Sequence, residues 1–162
     1  GSWATYSKGG DFRRWFGNLH WLVSIKKDAI EFYQSNPTSN LLASKYWFSE
    51  GVCYTMLTSG KPSFRLLPPT GGFDMAGPCI CGLGSSENWT LGFLNCSIAA
   101  DVLSMLNPTL NMQARDIKAL PMLISAEYKP AINSLVDSNV SISKNDWDSF
   151  ETSWDFKRNP LV

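Results

Sequence analysis

The chain has 162 residues, 44% of them hydrophobic and 13% aromatic, with 14 basic and 14 acidic side chains. That apolar content excludes a disordered chain, and the length fits a single core-forming domain. The formal net charge of zero excludes a protein that holds nucleic acid by a global basic excess, so any contact with DNA is a local patch or shared with a larger protein.

Taken in chain order, Gly1-Ser2 reads as a cloning remnant, and no basic stretch followed by an apolar one marks a signal peptide. Trp21-Leu22-Val23-Ser24-Ile25 is a short strand. Asp28 to Gln34 is a short helix that stops before Asn36-Pro37, because the residue before proline disfavours helical backbone. Tyr46-Trp47-Phe48 starts a strand. Val52 to Leu57 and Ser63 to Leu67 flank Thr58-Ser59-Gly60-Lys61-Pro62 as a hairpin, and Pro68-Pro69 and Gly71-Gly72 punctuate the chain after it. A further strand is expected around Cys79-Ile80-Cys81.

From about residue 89 the texture becomes helical. Leu91, Leu94, Ile98, Val102 and Met105 place one apolar stripe on a single helix, which Asn107-Pro108 ends. A shorter helix carries Ile132, Leu135 and Val136. Another is expected to start at Ser143, capped by its hydroxyl with Asp146 at the third position, and to present Trp147, Phe150 and Trp154. The fold class is α+β: a small twisted mixed β-sheet with hairpin loops, followed by packed helices. Residues 3–125 are expected to form the core and 126–162 a helical C-terminal extension packed on it. No apolar run approaches the roughly 20 residues of a membrane helix.

Chemistry-bearing motifs are scarce. The single histidine, His20, has no nucleophile beside it in sequence, and no zinc-protease, nucleophile-elbow or phosphate-loop motif occurs. Gly82-Leu83-Gly84-Ser85 has the wrong spacing for a dinucleotide loop. Asn107-Pro108-Thr109-Leu110 lacks the second proline and the aromatic of an adenine methyltransferase loop, so it reads as a helix stop. Cys53, Cys79, Cys81 and Cys96 sit in apolar stretches and read as buried thiols of a reducing, cytoplasmic compartment. No catalytic residue and no metal site is assigned.

The candidate DNA contacts are Lys8, Arg13, Arg14, Lys45, Lys61 and Arg65, with Arg115 and Lys118 further basic positions after the helix. Any one of these taken singly is as well explained as a solvated surface charge. Arg13-Arg14 stands out because it lies between Phe12 and Trp15 and beside Gly9-Gly10, where a backbone can approach closely and an arginine fork can take a phosphate or a guanine edge.

Together these stretches resemble the target-recognition region of the PglX family, the adenine-specific DNA methyltransferases of BREX phage-defence systems, itself similar to fused restriction-modification methyltransferases. The resemblance rests on Lys8-Gly9-Gly10-Asp11-Phe12-Arg13-Arg14-Trp15-Phe16-Gly17-Asn18 and Leu91-Gly92-Phe93-Leu94-Asn95-Cys96. It continues through Leu106-Asn107-Pro108-Thr109-Leu110-Asn111, Asp116-Ile117-Lys118-Ala119-Leu120-Pro121 and the stretch from Asp146-Trp147 to Asp155-Phe156. It implies a parent enzyme that transfers a methyl group from S-adenosylmethionine to adenine N6, with cofactor and catalytic loops outside this chain. This chain is then expected to need no cofactor and to recognise double-stranded DNA as a sequence reader. It would work with the methyltransferase domain of the same polypeptide and with other defence-system proteins. The aromatic stretch from Trp147 to Phe156 reads as packing. The alternative is a protein-docking module of the same methyltransferase.

Overall fold

The computed structural model describes residues 2–39 and 43–161; Gly1 lies outside them. The chain forms strands β1 (Trp3–Ser7) and β2 (Trp21–Ser24), helix α1 (Lys27–Ser35), strands β3 (Gly51–Tyr54), β4 (Phe64–Leu67), β5 (Gly71–Phe73) and β6 (Cys79–Cys81). Helices α2 (Glu87–Leu94), α3 (Ser97–Leu106), α4 (Ala114–Lys118) and α5 (Lys129–Trp147) complete the order. The fold is α+β, but the expected single sheet is two. One, ordered β2-β1-β5, is mixed: β1 pairs antiparallel with β2 and parallel with β5. The other, β4-β3-β6, is antiparallel throughout. Pro68-Pro69 separates them. Neither proline has an N–H to give, so β4 cannot run on into β5.

The antiparallel sheet sits inside the core. Val52 and Tyr54 share one face with Leu66 and Phe64, and Cys53 shares the other with Arg65, as period-2 alternation requires. The first face packs on Leu91, Leu94, Ala99 and Leu103 of α2 and α3 and on Val136 of α5. The second joins Phe16, Leu19, Leu67, Phe73 and Trp147. Both faces are covered, which is why β3 is buried along its length.

The helical half departs from the sequence reading in two places. The expected single helix through Met105 is two helices bent 77° apart. Asn95 ends α2, and its side chain leaves the helix to clamp Phe64, accepting from the Phe64 N–H at 3.1 Å and donating to its carbonyl at 2.9 Å. Cys96 then starts α3, its sulfur 3.4 Å from the Ala99 N–H. The apolar spacing runs through the break, so Ile98 and Met105 end up exposed. Conversely, the two expected C-terminal helices are one, α5, with Pro130 in its first turn. Ser143 does not cap. It lies inside α5, four residues before its end, and uses its hydroxyl elsewhere. The helix ends at Trp147, so Trp147 is buried while Phe150 and Trp154 are exposed.

Two smaller readings also change. Trp47-Phe48 is not a strand start: a 3₁₀ turn covers Ser44–Tyr46, and Phe48 takes φ +58° with its N–H on the Gly71 carbonyl. Asn107 ends α3 as expected, and its amide donates to the Asn111 carbonyl and to the Asp116 carboxylate. The Gln113 N–H and the Asn107 amide hold the Asp116 carboxyl below its usual range. Among the described residues no single helix is long and apolar enough to cross a membrane.

Candidate nucleic-acid interface

The loop between β1 and β2, residues 8–20, carries the basic pair that the sequence singles out. It leaves β1 through Gly9 at φ +78°, a region glycine enters without strain. A Cβ there would stand 2.7 Å from the Ala76 carbonyl oxygen. At its middle Trp15 forms a parallel bridge to Arg65, with the Trp15 N–H on the Phe64 carbonyl at 2.9 Å and the Leu66 N–H on the Trp15 carbonyl at 2.8 Å. The loop is therefore stitched to the outer edge of β4. Asn18 closes it by donating its amide to the Asp11 carbonyl at 2.9 Å.

Arg13 is a partner of helix α5. Its Nε donates to the Phe16 carbonyl at 2.9 Å and its Nη2 to the Ser143 carbonyl at 3.1 Å, and the same nitrogen pairs with Asp146. The guanidinium lies 5.1 Å from the Trp147 ring centroid. From the helix side, the Ser143 hydroxyl lies 2.9 Å from the Arg14 carbonyl and 3.0 Å from the Phe16 carbonyl. Gly17, at φ +123°, leaves room for this: a Cβ would stand 2.5 Å from Arg13 Nε and 2.9 Å from the Trp147 ring. Lys144 continues the contact over the Phe16 ring, bonding Asp148 at 2.6 Å and Asp155 at 2.8 Å. Its ammonium holds the Asp155 carboxyl below the usual carboxylate range. The first and last family-like stretches thus bind each other across about 130 residues of sequence.

The remaining candidates divide. Arg65, read as a groove-entering side chain on the hairpin, is instead fully buried at 0% exposure. It alternates inward with Ser63 while Phe64 and Leu66 face the helices. Lys8 is exposed and lies 5.3 Å from the ring centroid of Trp21, itself 50% exposed. The Arg14 guanidinium lies 5.5 Å from the ring of Phe12, which is 56% exposed. Lys61 is exposed on the loop joining β3 and β4. Lys45 is on the 3₁₀ turn, 4.8 Å from the Tyr46 ring. Among the described residues none of Lys8, Arg14, Lys45 and Lys61 makes an ion pair.

The structure adds Thr55, Ser63, Ser143 and Asp146 to the site. Ser63 and Arg65, polar at alternate positions of a strand whose other face is Phe64 and Leu66, were the signal that this face turns onto polar partners. Arg115 is exposed beside Asp116 at 3.7 Å, and Lys118 is exposed at the end of α4. The His20 ring lies tilted against two indoles, with centroids 5.2 Å from Trp21 and 6.3 Å from Trp147. Burial pushes the Cys79 thiol up, the opposite of an activated nucleophile. A cavity of about 230 Å³ between β1 and α1 is lined by Tyr6, Tyr33, Trp47, Phe48 and Phe73 among others, with no charged side chain among the described residues. Burial, with Asp74 nearby, pushes the Tyr6 hydroxyl up to about 12.

No family model matches the chain. The chain is similar to part of PglX-type adenine-specific methyltransferases. It is 29% identical over 163 residues to the adenine-specific methyltransferase BrxX of Escherichia coli O9:H4 (strain HS), covering 99% of this chain and 13% of that protein. It is 29% identical over 170 residues to the adenine-specific methyltransferase PglX of Lacticaseibacillus casei (strain Zhang), covering 99% of this chain and 14% of that protein. The chain therefore spans about one seventh of the length of these relatives.

Proposed function

We propose that the chain is a DNA sequence-recognition domain of a site-specific adenine-N6 methyltransferase in a phage-defence system of the BREX or restriction-modification type, non-catalytic by itself. The observation that carries this reading is the likeness to two adenine-specific methyltransferases along nearly the whole chain. Unpaired cations on an anchored loop supply the chemistry. Lys8 and Arg14 have no acidic partner among the described residues, and phosphate contacts that position a protein on duplex need such groups. Lys61 on the neighbouring loop and Lys45 on the 3₁₀ turn are secondary contacts. Arg13 contributes by holding the loop on α5. S-adenosylmethionine and methyl transfer belong to a methyltransferase domain of the parent polypeptide, which with other defence-system proteins completes the set of partners. The chain works in the cytoplasm.

A docking role within the same enzyme is the second reading, favoured by Phe150 and Trp154, which are 56% and 61% exposed at the C-terminal end. Binding of the purified chain to a pool of randomised duplexes, at low and moderate salt, separates the two. Sequence reading predicts an enriched short motif and an affinity that drops with salt. Replacing both Lys8 and Arg14 by Glu should reduce that salt slope by about 2, since each phosphate contact contributes about 0.9. No retention, or an unchanged slope, would overturn the reading in favour of docking.

A further inference from the structure

Arg65 is buried, yet no carboxylate lies within ion-pair distance among the described residues. A charge in that position is costly, and an apolar side chain of equal volume would serve the core better. Its surroundings explain its presence. Of the two terminal guanidinium nitrogens, Nη1 donates to the Arg13 carbonyl at 3.3 Å and lies 3.3 Å from the Ser63 hydroxyl, and Nη2 donates to the Thr55 hydroxyl at 3.2 Å. Thr55 passes the link on by donating to the Gly10 carbonyl at 3.0 Å, and the Arg13 N–H meets the Ser63 hydroxyl at 3.3 Å. Arg65 thus ties the glycine-rich loop at Gly10 and at Arg13, on either side of Asp11-Phe12. It ties the β3–β4 loop at both of its ends, Thr55 and Ser63.

We propose that Arg65 is a positioning residue that locks the 8–14 loop to the 55–63 loop, presenting Lys8, Arg14 and Lys61 as one preformed surface, without itself touching DNA. The inference rests on the DNA-reading proposal for what the surface binds. A planar fork with five donors spans three acceptors from two loops; a lysine ammonium is a point donor on a flexible stem and cannot. Loops fixed before binding lose less ordering entropy on binding, so the lock would appear as DNA affinity.

The test is hydrogen exchange by mass spectrometry, with duplex binding measured on the same samples, for the wild-type chain, Arg65→Lys and Thr55→Val. Arg65→Lys should speed exchange across residues 8–18 and 55–63 by about tenfold or more while α2 and α5 keep their protection. Affinity should fall by about tenfold. Thr55→Val, at a half-buried position, should loosen the Gly10 end alone, and it decides the matter if Arg65→Lys does not fold. Wild-type exchange in both variants overturns the lock. Faster loop exchange with unchanged affinity overturns positioning while leaving DNA reading intact. If Lys8→Glu with Arg14→Glu leaves binding unaltered, the DNA reading fails, and the exchange data still decide the lock.

Discussion

Replacing Arg13 by Ala tests whether this arginine is architecture or a phosphate contact. The side chain is 23% exposed and donates from two nitrogens to the Phe16 and Ser143 carbonyls. Hydrogen bonds from a charged donor contribute about 1.5–3 kcal/mol each. The stack on Trp147 adds about 0.5–1 kcal/mol. Asp146 is 58% exposed, so that ion pair contributes only a few tenths of a kcal/mol once solvent screening is counted. These contributions share one side chain and do not sum, and the expected loss is about 2–4 kcal/mol. With an m value of about 2 kcal/mol/M, the urea midpoint should drop by about 1–2 M. Asp146→Asn should shift it by well under half of that. DNA affinity, measured where the variant is folded, should change little. A midpoint near wild type together with a large loss of affinity would refute the reasoning and return Arg13 to the DNA surface.

Asn95→Ala should be nearly as damaging although it removes no charge. The amide accepts from the Phe64 N–H and donates to the Phe64 carbonyl inside the core; the carbonyl keeps the Trp15 N–H as a second partner, so the N–H alone is left unsatisfied, at a cost of about 1–3 kcal/mol. A urea midpoint within experimental error of wild type would show that the bend between α2 and α3 does not depend on this clamp. Glu87→Gln addresses pH. Burial, then the neighbouring Glu50, raises the Glu87 carboxyl from an ordinary value near 4.5 to about 7. The folded state therefore holds this proton more tightly than the unfolded state. Its stabilising effect is complete below about pH 4.5 and is lost as pH rises toward 7. Because Glu87 is partly solvated, Gln should recover only about 1 kcal/mol at pH 8 and almost nothing at pH 4. Thermal melts across that range check it, and a parallel offset at every pH would count against the assignment.

Element types were legible where one local rule decided them. Alternation and turn residues marked β3, β4 and β6, and Asn36-Pro37 and Asn107-Pro108 marked helix ends. Periodicity carried through a break misled. Leu91 to Met105 keeps helical spacing across Asn95-Cys96, while the break between the two helices coincides with a side-chain clamp on Phe64, a contact more than thirty residues away in sequence. Ser143 misled in the same way. Its hydroxyl reads as a cap, yet the acceptors it uses belong to Arg14 and Phe16. Such partners are set by tertiary packing, which local propensity does not encode.

Charge was the least legible feature, and the structure explains why. A formal net charge of zero excludes a global basic excess, but the count ignores which charges are spent. Asp146 is engaged by Arg13, and Asp148 and Asp155 by Lys144, all in the contact between the first loop and the last helix. Those acids neutralise cations that already have a structural task. They do nothing to Lys8 or Arg14, which sit over the exposed rings of Trp21 and Phe12. Screening limits an exposed charge to a range of about 10 Å, so a local field follows the charges nearby and not the net count. The two neighbouring arginines therefore differ: Asp146 and the Ser143 carbonyl hold Arg13 inward, while Arg14, half-buried beside Phe12, has no acidic partner among the described residues.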